Sequence, residues 1–269
     1  MSQSILELAP PPADMRIRYG PAPQHFADLR MPAGPGPHPC VIAIHGGFWR
    51  NRYDLRHLGH LCAALTDAGF ATWSIEYRRL DDPGGGWPGT FHDVARAARH
   101  LFDVAPLDIT PRHRIDPGRV IVLGHSAGGH LASWLADMSA VPVDSAIRAA
   151  PLPFRGAVAL AGVLDLQRAS VLNLSEGAVR DLLGGAPDRV PERYAAASPS
   201  ELSPLTVPHL LAHGAEDPIV PLEMSETLHA VGLDRSTLLT FPGIGHFELI
   251  DPRSEIWPEL LAAILALAT

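Results

Sequence analysis

Cysteine is scarce in this chain: its 269 residues include only Cys40 and Cys62. Two thiols exclude the disulfide framework on which small secreted folds depend. Cys40 opens an apolar, strand-like run and Cys62 falls on the inner face of a helical pattern, so both are expected as buried thiols. Basic clusters are also missing. Lys and Arg total 21 against 29 Asp and Glu, a formal charge of -8, and no basic run offers itself to nucleic acid, which is therefore not an expected partner. No stretch approaches the ~20 apolar residues of a membrane span. The opening Met1-Ser2-Gln3-Ser4-Ile5-Leu6-Glu7 lacks the basic region and long apolar stretch of a secretory signal, so the expected location is cytoplasmic. Histidine is plentiful, with 14 residues, and makes the net charge sensitive to mild acid. His57 and His60 stand three apart on a helical pattern, but nothing nearby completes a metal-ligand set, and no metal is expected.

What is present is an alternation of strand and helix. Residues 1–38 form a proline-rich lead-in with two short strands near Arg16 to Tyr19 and Phe26 to Arg30. The continuous apolar run Cys40 to Ile44 reads as a fully buried strand. Leu55, Leu58, Leu61, Cys62 and Leu65 then recur at helical spacing until Gly69. Ala71 to Tyr77 is the next strand, and Phe91, Val94, Ala98, Leu101 and Phe102 mark a helix with Thr90 as its N-cap. Further strands are expected at Val120 to Leu123, Ala157 to Leu160, Leu210 to Ala212 and Leu238 to Phe241. Such alternation implies an α/β fold with a mainly parallel central sheet and helices on both faces, occupying 39–269. The rhythm breaks between about Asp165 and Leu205, where paired glycines, prolines and short helical fragments read as a lid-like insertion over the edge of the site.

Gly124-His125-Ser126-Ala127-Gly128-Gly129 lies between the strand Val120-Ile121-Val122-Leu123 and a helical pattern beginning at His130. A serine at the tip of a strand-to-helix turn adopts a strained backbone, which the small residues two before and two after it make possible. The helix that follows aims its N-terminal amides at the same point, favouring an oxyanion there.

A serine hydroxyl attacks a carbonyl only with a histidine to take its proton and an acid to orient that histidine. Asp217 follows the strand Leu210 to Ala212, and His246 follows the last strand among glycines, giving the chain order Ser, Asp, His. Glu216 competes with Asp217 for the acid role. After the first buried strand, the glycine turn His45-Gly46-Gly47-Phe48-Trp49 can supply amides to an oxyanion hole: Gly47 and Phe48 as donors with Ala127, and Gly46 shaping the turn. Phe48, Trp49, Trp87 and Phe247 are the candidate walls of a substrate pocket. Glu76-Tyr77-Arg78 is placed to orient the oxyanion loop.

Together these motifs resemble the α/β-hydrolase superfamily from about Cys40 onward. His45-Gly46-Gly47-Phe48-Trp49, Gly124 to Gly129 and Gly162-Val163-Leu164-Asp165-Leu166 are more narrowly similar to the esterase and lipase branch that includes the arylformamidases, or kynurenine formamidases. Phe48 and His125 depart from the third glycine and the pre-serine aspartate of hormone-sensitive-lipase-like esterases. The resemblance implies a Ser126, Asp217, His246 triad that needs no cofactor and hydrolyses small or aryl esters as its small-molecule substrates. Alternatives are N-formyl aryl amides, a peptidase role, or a non-catalytic binding protein on the same fold.

Overall fold

The computed structural model describes residues 4–104 and 115–268; residues 1–3, at the head of the stretch read above for a signal, lie outside them. Eight strands form one sheet in the order β1-β2-β4-β3-β5-β6-β7-β8. They are β1 (Met15–Arg18), β2 (Phe26–Arg30), β3 (His38–Ile44), β4 (Ala71–Ile75), β5 (Ile115–His125), β6 (Gly156–Leu160), β7 (His209–Gly214) and β8 (Ser236–Phe241). The proline-bracketed hairpin of β1 and β2 joins the sheet antiparallel to β4, and the other pairings are parallel.

Continuous apolar strands imply burial on both faces, and the side chains divide accordingly. Ile42, Ile44, Val120 and Val122 face one layer, which contains α2 (Gly89–Val104) and α3 (Ala127–Ala136). Val41, Ala43, Ile121 and Leu123 face the other, with α1 (Gly59–Asp67) and α8 (Trp257–Leu267). Cys40 and Cys62 are free, buried thiols. Residues 165–205 hold three short helices, α4 (Leu166–Val171), α5 (Ala178–Leu183) and α6 (Pro191–Ala197); α7 (Glu223–Val231) precedes β8.

Two local expectations need correction. The strand expected to reach Tyr77 ends at Ile75, because Glu76 and Tyr77 turn toward the β3 loop: the Tyr77 hydroxyl donates to the His45 carbonyl at 2.8 Å. Thr90 lies inside α2 and does not cap it. Its hydroxyl donates to the Arg78 carbonyl at 2.6 Å and accepts from the Gly86 amide at 3.0 Å, tying the preceding loop to the end of β4.

The topology sets where a site can form. The chain leaves β3 for β4 on one side and then crosses back to β5 on the other, so the loops after β3 and β5 diverge and leave a crevice at the carboxyl edge. Register aligns that edge. Ile44 pairs with Gly124, His125 with Leu160, Leu160 with Ala212, and Gly214 with Phe241. The segments carrying His45, Ser126, Asp217 and His246 therefore all emerge at one level.

Candidate active site

Ser126 sits between β5 and α3 with φ 57° and ψ -121°, a left-handed conformation that a non-glycine residue adopts only when its surroundings enforce it. The enforcement is close packing. A Cβ on Gly124 would lie 2.0 Å from the Gly128 carbonyl oxygen, and one on Gly128 would lie 1.9 Å from that of Ile44. Backbone meets backbone there, with no space for a side chain.

The loop after β3 lies directly against this turn. A Cβ on Gly46 would stand 3.0 Å from the Ser126 Cβ. Gly47 to Arg50 then form a turn closed by the Arg50 amide on the Gly47 carbonyl at 3.0 Å, with Phe48 at φ 50° and Trp49 at φ 57°. The amides of Gly47, Phe48 and Ala127 donate to no acceptor among the described residues. The loop is anchored from behind. Glu76 Oε1 lies 3.0 Å from His45 Nε2, Glu76 Oε2 accepts from the Leu55 amide, and the His45 ring stacks on Tyr77 at 4.5 Å.

Asp217 Oδ2 lies 2.6 Å from His246 Nδ1. A carboxylate only accepts, so Nδ1 donates and Nε2 keeps the lone pair that a general base needs. Asp217 Oδ1 accepts from the amides of Ile219 and Val220 at 2.8 and 2.9 Å. Burial pushes the Asp217 carboxyl upward, but hydrogen bonds from His213, His246 and the Val220 amide outweigh it and hold the group well below the usual carboxylate range. The two neighbours point differently: Glu216 turns its carboxylate to the Gly243 amide at 3.1 Å, and Asp217 meets the histidine.

Ser126 and His246 share a cavity of about 460 Å³ whose walls include Phe48 and Phe247. Leu172 to Ser175, between α4 and α5, complete the lining on one side. Trp49 and Trp87, expected as walls, do not line it. Trp49 is fully buried and its indole N–H donates to His130 Nδ1 at 3.2 Å, because the left-handed turn sends it inward while Phe48 faces the cavity. Trp87 packs edge-on against Phe91 at 5.6 Å, and its amide donates to the Leu182 carbonyl. Tyr53 and His57 also line the cavity; Tyr53 carried no sequence signal, and the helical spacing of His57 did not point to the cavity. The two helical histidines part company: His57 meets His125, while His60 lies 3.3 Å from the Leu8 carbonyl.

The BD-FAE family model matches residues 27–231. The chain is similar to Esterase LipC of Mycobacterium tuberculosis, at 28% identity over 88% of this chain and 60% of that one. It is also similar to Esterase LipQ of the same organism, at 27% over 80% and 51%. It therefore spans 60% or less of the length of these curated relatives. Among solved structures, a truncated carbohydrate esterase from gut microbiota superimposes with a TM-score of 0.81 at 21% identity, covering 96% of this chain and 99% of that one. Esterase B from Lactobacillus rhamnosis, inhibited by a tributyrin phosphonate, gives 0.76 at 22%, covering 96% and 88%. Those likenesses show the α/β-hydrolase fold. With a family model running from β2 to the end of α7, more than half of its length, the chain belongs to the BD-FAE family.

Proposed function

We propose that this chain is a serine hydrolase that cleaves small or aryl carboxylic esters through an acyl-enzyme on Ser126. The observation that carries the reading is the strained Ser126 in one cavity with His246, whose Nδ1 lies 2.6 Å from Asp217. His246 Nε2 takes the Ser126 proton as Oγ attacks the carbonyl. The amides of Gly47, Phe48 and Ala127 receive the oxyanion, with Gly46 keeping the loop against the serine. Collapse expels the alcohol, which takes the proton back from His246, and water resolves the acyl-enzyme by the same route. Relatives named as esterases support the ester class.

Phe48 and Phe247 wall the acyl or aryl group. The insertion at 165–205 acts as the lid, a role supported by the cavity-lining stretch Leu172 to Ser175, and the lead-in 1–38 serves as an edge to the catalytic region 39–269. Two free buried thiols suit a cytoplasmic setting.

The test compares kcat/KM on short p-nitrophenyl esters and on N-formylkynurenine, with Ser126→Ala as the blank. Ester hydrolysis that vanishes with Ser126 is the expected result. Near-native activity in Ser126→Ala would overturn the mechanism, and a strong preference for N-formylkynurenine would move the substrate class to aryl formamides.

A further inference from the structure

His125, the residue before the nucleophile, is not used by the mechanism above, yet it is fully buried against the base. Its Nε2 lies 2.9 Å from the main-chain oxygen of His246, and its ring centroid is 4.4 Å from the His246 ring. Its Nδ1 lies 2.8 Å from Nε2 of His57, which is itself buried in the cavity wall. These contacts determine the tautomers. A carbonyl oxygen only accepts, so His125 Nε2 must carry a proton. Burial lowers the pKa of His125 and that of His57, the latter to about 3, with the other histidines adding to the effect, so both rings are neutral near pH 7. His125 Nδ1 is then an acceptor and His57 Nε2 its donor.

We infer that His57 and His125 are positioning residues for the base: the His246 carbonyl fixes the proton on His125 Nε2, and His57, donating to His125 Nδ1, pins that ring so that it holds the base's backbone at the site. This reading rests on the hydrolase assignment. Asp217 grips the His246 side chain, whereas the loop Pro242 to Phe247 that bears it contains a left-handed Gly243 at φ 74°. His125 supplies a side-chain hold on the main chain of that loop at the residue that reacts. Removing His57 takes away the donor that pins His125 Nδ1, so the ring can turn and its hold on His246 is loosened. The pair also adjoins the oxyanion loop, since a Cβ on Gly46 would approach His125 Nδ1 to 3.5 Å. A neutral ring at this position adds no positive charge beside His246 as it becomes cationic during the reaction.

Glutamine provides the control, because its side-chain amide nitrogen falls near the position of a histidine Nε2 and still donates. In His125→Phe, kcat on p-nitrophenyl acetate is expected to fall 10- to 100-fold with KM within about twofold, the scale at which misplacement of a reacting group acts. His125→Gln is expected to recover most of the loss. His57→Phe and His57→Gln should repeat the contrast from the cavity wall if His125→Phe does not fold. The second readout is the downfield proton resonance of the Asp217–His246 hydrogen bond, which requires no turnover. It should shift or broaden in the Phe variants and return in the Gln variants. Folded Phe variants with wild-type kcat and an unmoved resonance would overturn the relay, as would Gln variants no better than Phe. Were the wild type inactive on every ester, the resonance contrast would still test the relay, and only the hydrolase reading would fail.

Discussion

Asp217 shows how much of the site depends on single groups. Its carboxylate joins the His246 ring and two amides of its own loop, and its depressed pKa keeps it charged throughout the neutral range. An amide in its place keeps the shape but offers His246 Nδ1 a donor as readily as an acceptor, releasing the tautomer that catalysis requires. Asp217→Asn is therefore expected to lower kcat by about 10⁴-fold with little change in KM, measured as steady-state ester hydrolysis. Glu216→Gln, one residue away, should stay within a few-fold of wild type, because its carboxylate is engaged with the Gly243 amide. At this scale the sequence was informative where chain order carried the argument. It favoured Asp217 but could not exclude Glu216, since that choice depends on which way each side chain leaves the turn.

At the scale of elements, the close approach of three segments makes the site. Gly46 lets the β3 loop lie against Ser126, and an alanine there would bring its Cβ within 2.8 Å of the His125 carbonyl oxygen. Gly46→Ala is expected to fold, because the loop lies at the sheet's edge, while losing about 10²-fold or more in kcat through displaced oxyanion donors. Gly128→Ala is different in kind. Its Cβ would lie 1.9 Å from the Ile44 carbonyl oxygen, so α3 and the β3 terminus must separate; a loss of at least ~3 kcal/mol is expected in urea unfolding. Strand and helix identities were legible in the apolar periodicity, with β3, β6 and β7 near their expected positions. The C-terminal end of β4 and the role of Thr90 were not, because Glu76, Tyr77 and Thr90 are committed to loops distant in sequence.

Across the whole molecule, buried histidines couple stability to pH. Burial lowers His57 to about 3 and His130 to about 4, and puts His125 well below its ordinary value. In the unfolded chain these groups titrate near 6.5. Between that value and the lower folded values the unfolded state binds more protons, so their stabilising contribution is complete above about pH 6.5 and is lost as pH falls toward 4. His57 and His130 each cost about 1.4 kcal/mol per pH unit within that window, so these two should remove about 3 kcal/mol between pH 7.5 and 5.5, with His125 acting in the same direction. Urea midpoints at the two pH values measure this. A flat response would show that the three rings are not held neutral.

The sequence by itself determined the order of the elements, the serine turn and the succession of Ser126, Asp217 and His246 along the chain, because backbone periodicity and glycine placement are local properties. The tertiary structure decided which of the 14 histidines surround the serine, which aromatic residues reach the cavity, and what holds the catalytic loops. Those outcomes depend on the register that sets Ile44 beside Gly124 and on the crossover from β4 to β5. Neither leaves a periodic trace in the chain, since each joins residues whose separation along it carries no pattern.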